Sequence, residues 1–148
     1  MSKDQNADIL LVEDDANDAE LAMRAFSKSG LDHRVEHVRD GAEALEYIQG
    51  IRLRADKHSG RAPRLILLDL QLPKIGGLQV LRTLKADERT KGIPIVAFTS
   101  SKLAIEMVQS YGVGVNSYVI KPTNGERFAE VITVISNYWL NVNEMPEL

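Results

Sequence analysis

The 148-residue chain contains no cysteine. This absence excludes disulfide bonds, thiolate metal sites and a cysteine nucleophile, and nothing in the composition requires an oxidising compartment. The polar N-terminal segment, residues 1–6, lacks the apolar core of a signal peptide, and no apolar run approaches the length that spans a membrane. We therefore expect a cytoplasmic protein with no membrane partner.

The chain also lacks a strong charge of either sign. Its formal net charge is -3, and acidic and basic residues are dispersed, so no basic field favours a nucleic-acid partner. His33, His37 and His58 show no metal-ligand spacing and receive no role. With 44% hydrophobic residues, the length suits one core. We expect a single domain over residues 1–148, with its core at about 7–142 and a short C-terminal tail.

Short apolar runs that end in polar residues recur along the chain. Ile9–Val12, Leu65–Leu68 and Ile95–Phe98 are uninterrupted, which is typical of strands covered on both faces in a parallel sheet. Val35–Val38 contains two polar residues, as expected of an edge strand, and Tyr118–Ile120 is the fifth run. Helical spacing follows each run. This alternation predicts an α/β fold, a doubly wound five-stranded parallel sheet in the order 2-1-3-4-5 with helices on both faces.

Capping signals place the predicted helices. The first begins near Asn17, with Asp15 or Asn17 as its cap, and stops at Gly30. Further caps are Ser100 or Ser101 for the fourth helix, and the capping-box spacings 40–43 and 123–126 open the second and last helices. We expect the second helix to end at Ile48 and residues 50–63 to form a basic surface loop. The inward positions of the fourth helix are Ala104, Ile105, Val108 and Tyr111, and those of the last are Phe128, Val131, Ile132, Ile135 and Trp139.

Chemically active side chains stand where the predicted strands end. Glu13 and Asp14 follow the first strand, Asp69 the third, Thr99 the fourth and Lys121 the fifth. Because the carboxyl ends of parallel strands share one edge, these residues should converge there. Three carboxylates suit Mg²⁺, and an ammonium with a hydroxyl suits a phosphoryl group. We predict that Asp69, alone on the central strand, is the nucleophile that forms an acyl phosphate. Glu13 and Asp14 are then the predicted metal ligands.

These motifs resemble the receiver domain of two-component response regulators. The resemblance is carried by residues 12–14, by Asp69 with Leu72-Pro73 and Gly77 after it, by Thr99-Ser100, and by residues 118–122. The fold it implies is flavodoxin-like. A further similarity is to stand-alone regulators that are paired with phytochrome histidine kinases. It is carried by residues 12–18, the basic loop before Pro63, residues 114–118 and the tail residues 138–140 and 143–146.

The resemblance implies a signalling role in place of ordinary enzyme activity. A kinase phosphohistidine would donate to Asp69, while Glu13, Asp14, Asp69 and the backbone carbonyl of Gln71 would hold Mg²⁺. Lys121 would contact the phosphate, Thr99 would move toward it, Tyr118 would turn inward, and the chain would assist its own phosphotransfer and dephosphorylation. It also implies a cis bond before Pro122. Gly76 stands where an acid is common, and Gln71 and Ser101 occupy positions that tune dephosphorylation.

Alternative interpretations of the same residues exist. Taken singly, the acids at 13–15 could be an N-capping cluster, Asp69 a turn residue and Lys121 a solvated cation. A flavin-binding protein of this fold would need a phosphate loop where residues 13–15 are acidic. A phosphatase of the haloacid-dehalogenase type resembles a pattern with a second acid where this chain has Gln71. A phosphorylation-independent pseudo-receiver, acting as an interaction scaffold, is the remaining alternative.

Apolar residues outside the inward faces of the last two helices suggest an interface. Leu103 and Met107 lie off the inward face of the fourth helix, and Val134 and Tyr138 form a second apolar line on the last. Lines of exposed apolar residues often mark contacts between proteins, although scattered ones are common. With the phytochrome-type resemblance, they favour a homodimer through the fourth and fifth helices and the C-terminal tail.

Overall fold

The computed structural model describes residues 7–55 and 62–145, and for residues 51–55 it describes the backbone alone. The strands are β1 Ile9–Val12, β2 Val35–Val38, β3 Leu65–Leu68, β4 Ile95–Thr99 and β5 Ser117–Ile120. The α-helices are α1 Ala16–Lys28, α2 Gly41–Ala55, α3 Gly77–Ala86, α4 Lys102–Ser110 and α5 Gly125–Asn137. A 3₁₀ turn, Asp32–Arg34, precedes β2, and a π-helical turn, Tyr138–Val142, continues α5. Within the described residues, no helix is both long and apolar enough to span a bilayer.

The sheet has the predicted order, β2-β1-β3-β4-β5, and every neighbouring pair is parallel. Successive side chains of a strand point to opposite faces, so each central strand contributes to two cores. Leu10 and Ile66 pack with the helices α2, α3 and α4, whereas Ile9 and Leu65 pack with α1 and α5. The prediction of strands buried on both faces, with helices on either side, is therefore confirmed.

Side-chain caps decide where most of the helices begin. Asp15 caps α1 by accepting a hydrogen bond from the Asp18 N–H, and Ser101 caps α4 in the same way through Ala104. The spacing at 123–126 pointed to Thr123 as the cap of α5, but the cap is Asn124, whose side chain accepts from Arg127 N–H. That prediction was wrong by one residue, because an asparagine oxygen reaches the same amides as a threonine hydroxyl.

The second helix is longer than predicted. It continues through Gly50 to Ala55, so the expected loop over residues 50–63 is wrong for its first six residues. Glycine in a helix costs about 1 kcal/mol, and the good helix formers that follow offset this cost. Residues 56–61 of that expectation, including Lys57 and Arg61, lie outside the described residues, and residues 62 and 63 belong to no helix or strand.

Two smaller expectations are also corrected. Tyr111 is the C-cap of α4 and is exposed rather than inward, with the Arg82 guanidinium 4.7 Å from the centroid of its ring. The described peptide bonds are all trans, including the bond before Pro122. Proline lowers the cost of a cis bond but still favours trans by about 0.5–1 kcal/mol, so its presence alone does not predict cis.

Candidate functional site

The strand ends bring the predicted site residues to one edge of the sheet. Backbone hydrogen bonds fix their positions: Asp69 N–H donates to the Val12 carbonyl over 3.1 Å, and Lys121 N–H donates to the Thr99 carbonyl over 2.9 Å. Side by side, β1 and β3 therefore present Glu13 and Asp69 at neighbouring positions. The parallel topology is what joins residues that are more than fifty positions apart in the sequence.

Lys121 lies at the centre of this cluster. Its Nζ is 2.8 Å from Glu13 Oε1, 2.8 Å from Asp18 Oδ2 and 3.1 Å from Asp69 Oδ2. Glu13, Asp69 and Lys121 are buried, which is uncommon for charged residues unless they are paired. The buried cation is thus neutralised by carboxylates from two strand ends and from the first turn of α1.

Asp18 is the residue of this cluster to which no role was assigned from the sequence. It stands in the first turn of α1, where an acid is commonly explained by the helix dipole. No pattern in the sequence links it to a lysine that lies 103 positions away. Only the tertiary structure, in which α1 packs against α5, shows the contact.

The three predicted metal carboxylates also meet. Glu13, Asp14 and Asp69 each offer an oxygen, and these oxygens all lie within 4.8 Å of one another. Asp14 is exposed, so solvent reaches one side of the group, while Asp69 Oδ1 accepts a hydrogen bond of 3.1 Å from Gln71 N–H. An all-oxygen set that is open to water fits a hard divalent cation such as Mg²⁺, which keeps several water ligands.

Burial and charge shift the acid–base behaviour of the cluster. The pKa of Glu13 is raised to about 7, chiefly by burial; the hydrogen bond with Lys121 opposes this rise and the charge of Asp69 adds to it. Burial by itself would lower the pKa of Lys121, but Asp18, Glu13 and Asp69 together raise it above its ordinary value. Lys121 therefore carries its charge throughout the physiological range.

Thr99 and Tyr118 occupy the neighbouring strands. Thr99 is fully buried at the end of β4, and its Oγ1 accepts a hydrogen bond of 3.4 Å from Ser101 N–H. Tyr118 is paired in register with Ala97 and is partly buried against the apolar cluster under α2, α3 and α4. Burial raises the pKa of its hydroxyl.

Close packing holds the loop that follows Asp69. A Cβ atom on Gly41 would lie 2.1 Å from the Ile75 carbonyl oxygen, and one on Gly77 would lie 2.6 Å from Leu70 Cα. Lys74 adopts a positive φ of 63°, and its Nζ is 3.3 Å from Asp40 Oδ2 at the start of α2. Glycine is required at both contacts, so the backbone beside the cluster is fixed by the elements around it.

A five-stranded parallel sheet with an acidic cluster and a buried lysine at its carboxyl edge is the arrangement that the sequence predicted for a receiver domain. The comparison with known families agrees with this class. Residues 9–133 match the model of the response regulator receiver domain. The chain therefore belongs to the receiver family of two-component response regulators.

Individual relatives cover nearly the whole chain. The probable methanogenesis regulatory protein FilR2 of Methanothrix harundinacea is 43% identical over 139 residues, which are 93% of this chain and 86% of FilR2. The response regulator Rcp1 of Synechocystis is 34% identical over 93% of this chain and 92% of its own length. Its Mn²⁺-bound crystal structure superposes with a TM-score of 0.79 at 33% identity, covering 97% of this chain and 100% of that one.

A phosphorylated relative is similar to the same degree. The crystal structure of the phosphorylated cyanobacterial phytochrome response regulator RcpA superposes with a TM-score of 0.80 at 35% identity, covering 97% of this chain and 99% of that one. The relatives that match along their whole length thus include stand-alone regulators associated with phytochromes.

Proposed function

We propose that this chain is a phosphoaspartate switch of the cytoplasm that accepts a phosphoryl group from a histidine kinase onto Asp69. The observation that carries the proposal is the setting of Asp69 itself. Its carboxylate is buried at the end of the central strand, with one oxygen bound by Gln71 N–H and the other 3.1 Å from Lys121 Nζ. A carboxylate so held is positioned to act as a nucleophile.

In the transfer step, an oxygen of Asp69 forms a bond to phosphorus as the phosphorus–nitrogen bond of the kinase phosphohistidine breaks. The electron pair of that bond stays on the imidazole nitrogen, and an acyl phosphate results. Lys121 donates N–H to the phosphoryl oxygens, and the Thr99 hydroxyl offers a second donor. The residues position the group and balance its charge.

The metal of this proposal is Mg²⁺, held by Glu13, Asp14, Asp69 and the backbone carbonyl of Gln71. Support comes from the three clustered carboxylates and from the Mn²⁺-bound form of Rcp1. When bound, the ion supplies positive charge beside the phosphoryl oxygens. Water removes the phosphoryl group at the same site, and Gln71 and Ser101 stand beside the site. The chain thus assists its own phosphorylation and dephosphorylation and acts as a regulator, with no separate substrate.

The output is a change in protein contacts. Phosphate oxygens favour one arrangement of Thr99 and Tyr118, which shifts the population of conformations on the side of α4, β5 and α5. That side exposes Leu103 and Val134. We propose that this side and the C-terminal tail together form the interface of a homodimer. RcpA is a cyanobacterial phytochrome response regulator, so a phytochrome-type histidine kinase is the proposed donor.

Intact-mass measurement tests the phosphoacceptor directly. The protein is incubated with a small-molecule phosphodonor with and without Mg²⁺, beside Asp69→Asn. We expect one phosphoryl adduct on the unmutated protein only, and only with the metal present. An adduct on Asp69→Asn would show that another residue is the acceptor. If the folded protein forms no adduct with Mg²⁺ bound, the pseudo-receiver becomes the better explanation.

A further inference from the structure

Three carboxylates already surround the ammonium group of Lys121 before a phosphoryl group arrives, and its Nζ donates hydrogen bonds to Asp18 and Asp69. A lysine offers three N–H donors, and Glu13, Asp18 and Asp69 each place a carboxylate oxygen within 3.1 Å of Nζ. A phosphoryl group on Asp69 brings further acceptor oxygens to the same ammonium, so it competes with the neighbouring carboxylates for the lysine N–H groups.

The three partners differ in what release would cost them. Phosphorylation turns the Asp69 carboxylate into an acyl phosphate, so its contact with Lys121 passes to the phosphoryl oxygens and is not simply lost. The side chain of Glu13 is 3% exposed, so an unpaired charge there would be left out of water. The side chain of Asp18 is 28% exposed, and water can replace the lysine there. Asp18 is thus the partner whose release costs least.

Asp18 is also held in place independently of Lys121. Its backbone N–H donates to Asp15 Oδ1 over 2.9 Å in the first turn of α1, so the backbone that carries the carboxylate stays in place when the lysine leaves. In the phosphorylated state it would face a phosphoryl group that carries more negative charge than the carboxylate it replaced. The side chain therefore attracts Lys121 before phosphorylation and repels the phosphoryl group afterwards.

We propose that Asp18 is a positioning residue that holds Lys121 in the unphosphorylated state and competes with the phosphoryl group for its N–H donors. This inference rests on the proposed phosphorylation of Asp69. It connects the state of the acceptor to the contact between the start of α1 and the end of β5, because the contact breaks when the lysine turns to the phosphate. Removing the Asp18 charge should favour the phosphorylated arrangement.

The test uses beryllofluoride, which binds a carboxylate non-covalently in the place of a phosphoryl group. Its affinity is measured by ¹⁹F NMR on the full chain at saturating Mg²⁺, for the unmutated protein and for Asp18→Asn. We expect Asp18→Asn to bind about fivefold more tightly, the factor expected for a partly exposed ion pair. A tighter affinity distinguishes positioning from structural damage, which would weaken binding.

Matched variants separate the contact from simple charge. Glu20→Gln removes the same charge from the same helix, and Glu20 pairs with Arg24 rather than with Lys121. We expect its affinity to stay close to that of the unmutated protein. Asp18→Ser is a second variant that removes the carboxylate, and thermal unfolding of each variant establishes that it is folded.

The outcomes distinguish this inference from the proposed function. If the unmutated protein binds beryllofluoride and Asp69→Asn does not, the phosphoacceptor is supported. If Asp18→Asn and Asp18→Ser then bind equally or more weakly, or if Glu20→Gln binds as tightly as they do, the role of Asp18 is overturned while the acceptor stands. If the unmutated protein shows no binding, both proposals fail.

Discussion

The carboxyl edge of the sheet and the outer side of α4 and α5 depart from the usual division of residues in opposite ways. At the sheet edge, Glu13, Asp69 and Lys121 are charged and buried. On the outer side, Leu103 is 77% exposed and Val134 is 65% exposed. Charged residues are rarely buried unless paired, and a large contiguous patch of exposed apolar residues often marks a contact between proteins.

The two regions differ in what compensates their unfavourable residues, the buried charges in one and the exposed apolar side chains in the other. The buried charges are compensated within the chain, because Lys121 meets three carboxylates and Glu13 Oε2 accepts from Asp15 N–H. The apolar side chains lie in solvent and would be covered only by another molecule. The buried charges are therefore compensated within one chain, whereas the exposed apolar side chains are not covered within it.

The largest effect is expected from breaking the compensation at Lys121. Lys121→Met leaves Glu13 and Asp69 buried without their cation, and removing one partner of a buried ion pair costs about 3–5 kcal/mol. Urea unfolding in the presence of a chelator measures this loss. The exposed Lys102→Met on α4 is the control and should change the free energy of unfolding by less than about 0.5 kcal/mol. A loss below about 1 kcal/mol for Lys121→Met would contradict the proposed compensation.

A smaller effect is expected when pH changes the charge of Glu13. The pKa of Glu13 is raised from 4.5 to about 7, so the folded chain binds more protons than the unfolded chain between these values. Its contribution to stability is fully present below pH 4.5 and is lost as the pH rises through 7. Without metal, the unmutated protein should lose about 2–3 kcal/mol relative to Glu13→Gln between about pH 4.5 and 7.5. Parallel pH profiles of the two proteins would refute this shift.

The smallest effect on stability is expected on the apolar side. Val134→Asp places a charge on an exposed position of α5, so the free energy of unfolding of the monomer should change by less than about 0.5 kcal/mol. If the side is an interface, the same variant should be monomeric in analytical ultracentrifugation at concentrations at which the unmutated protein dimerises. Thr133→Asp adds the same charge at the adjacent exposed position. Loss of the dimer in both variants would show a general charge effect instead of a specific contact.

The features that could be predicted from sequence are those that depend on short patterns. Ile9–Val12 and Leu65–Leu68 are continuous apolar runs, which is how strands covered on both faces appear. Asp69 follows such a run directly, so its place at the strand end follows from the pattern. The predictions at Gly50 and Thr123 were wrong because the conformational preference of a single residue is weak and neighbouring residues can outweigh it.

The contact between Asp18 and Lys121 belongs to the other class of features. Both residues were visible in the sequence, but their pairing depends on how α1 packs beside α5, the helix that follows Lys121, and apolar residues such as Phe26 and Phe128 set that packing. The same holds for the glycine contacts around the loop after Asp69, where the neighbouring backbone decides what fits.

The sequence by itself determined the α/β class, the strand order and which residue types reach the carboxyl edge, because periodicity and the handedness of parallel connections leave few alternatives. The tertiary structure alone decided which carboxylates share the Lys121 ammonium and how deeply each is buried. Distances and exposure arise from the packing of elements that are far apart in the chain, and they control the pKa of Glu13 and the competition that we propose for Asp18.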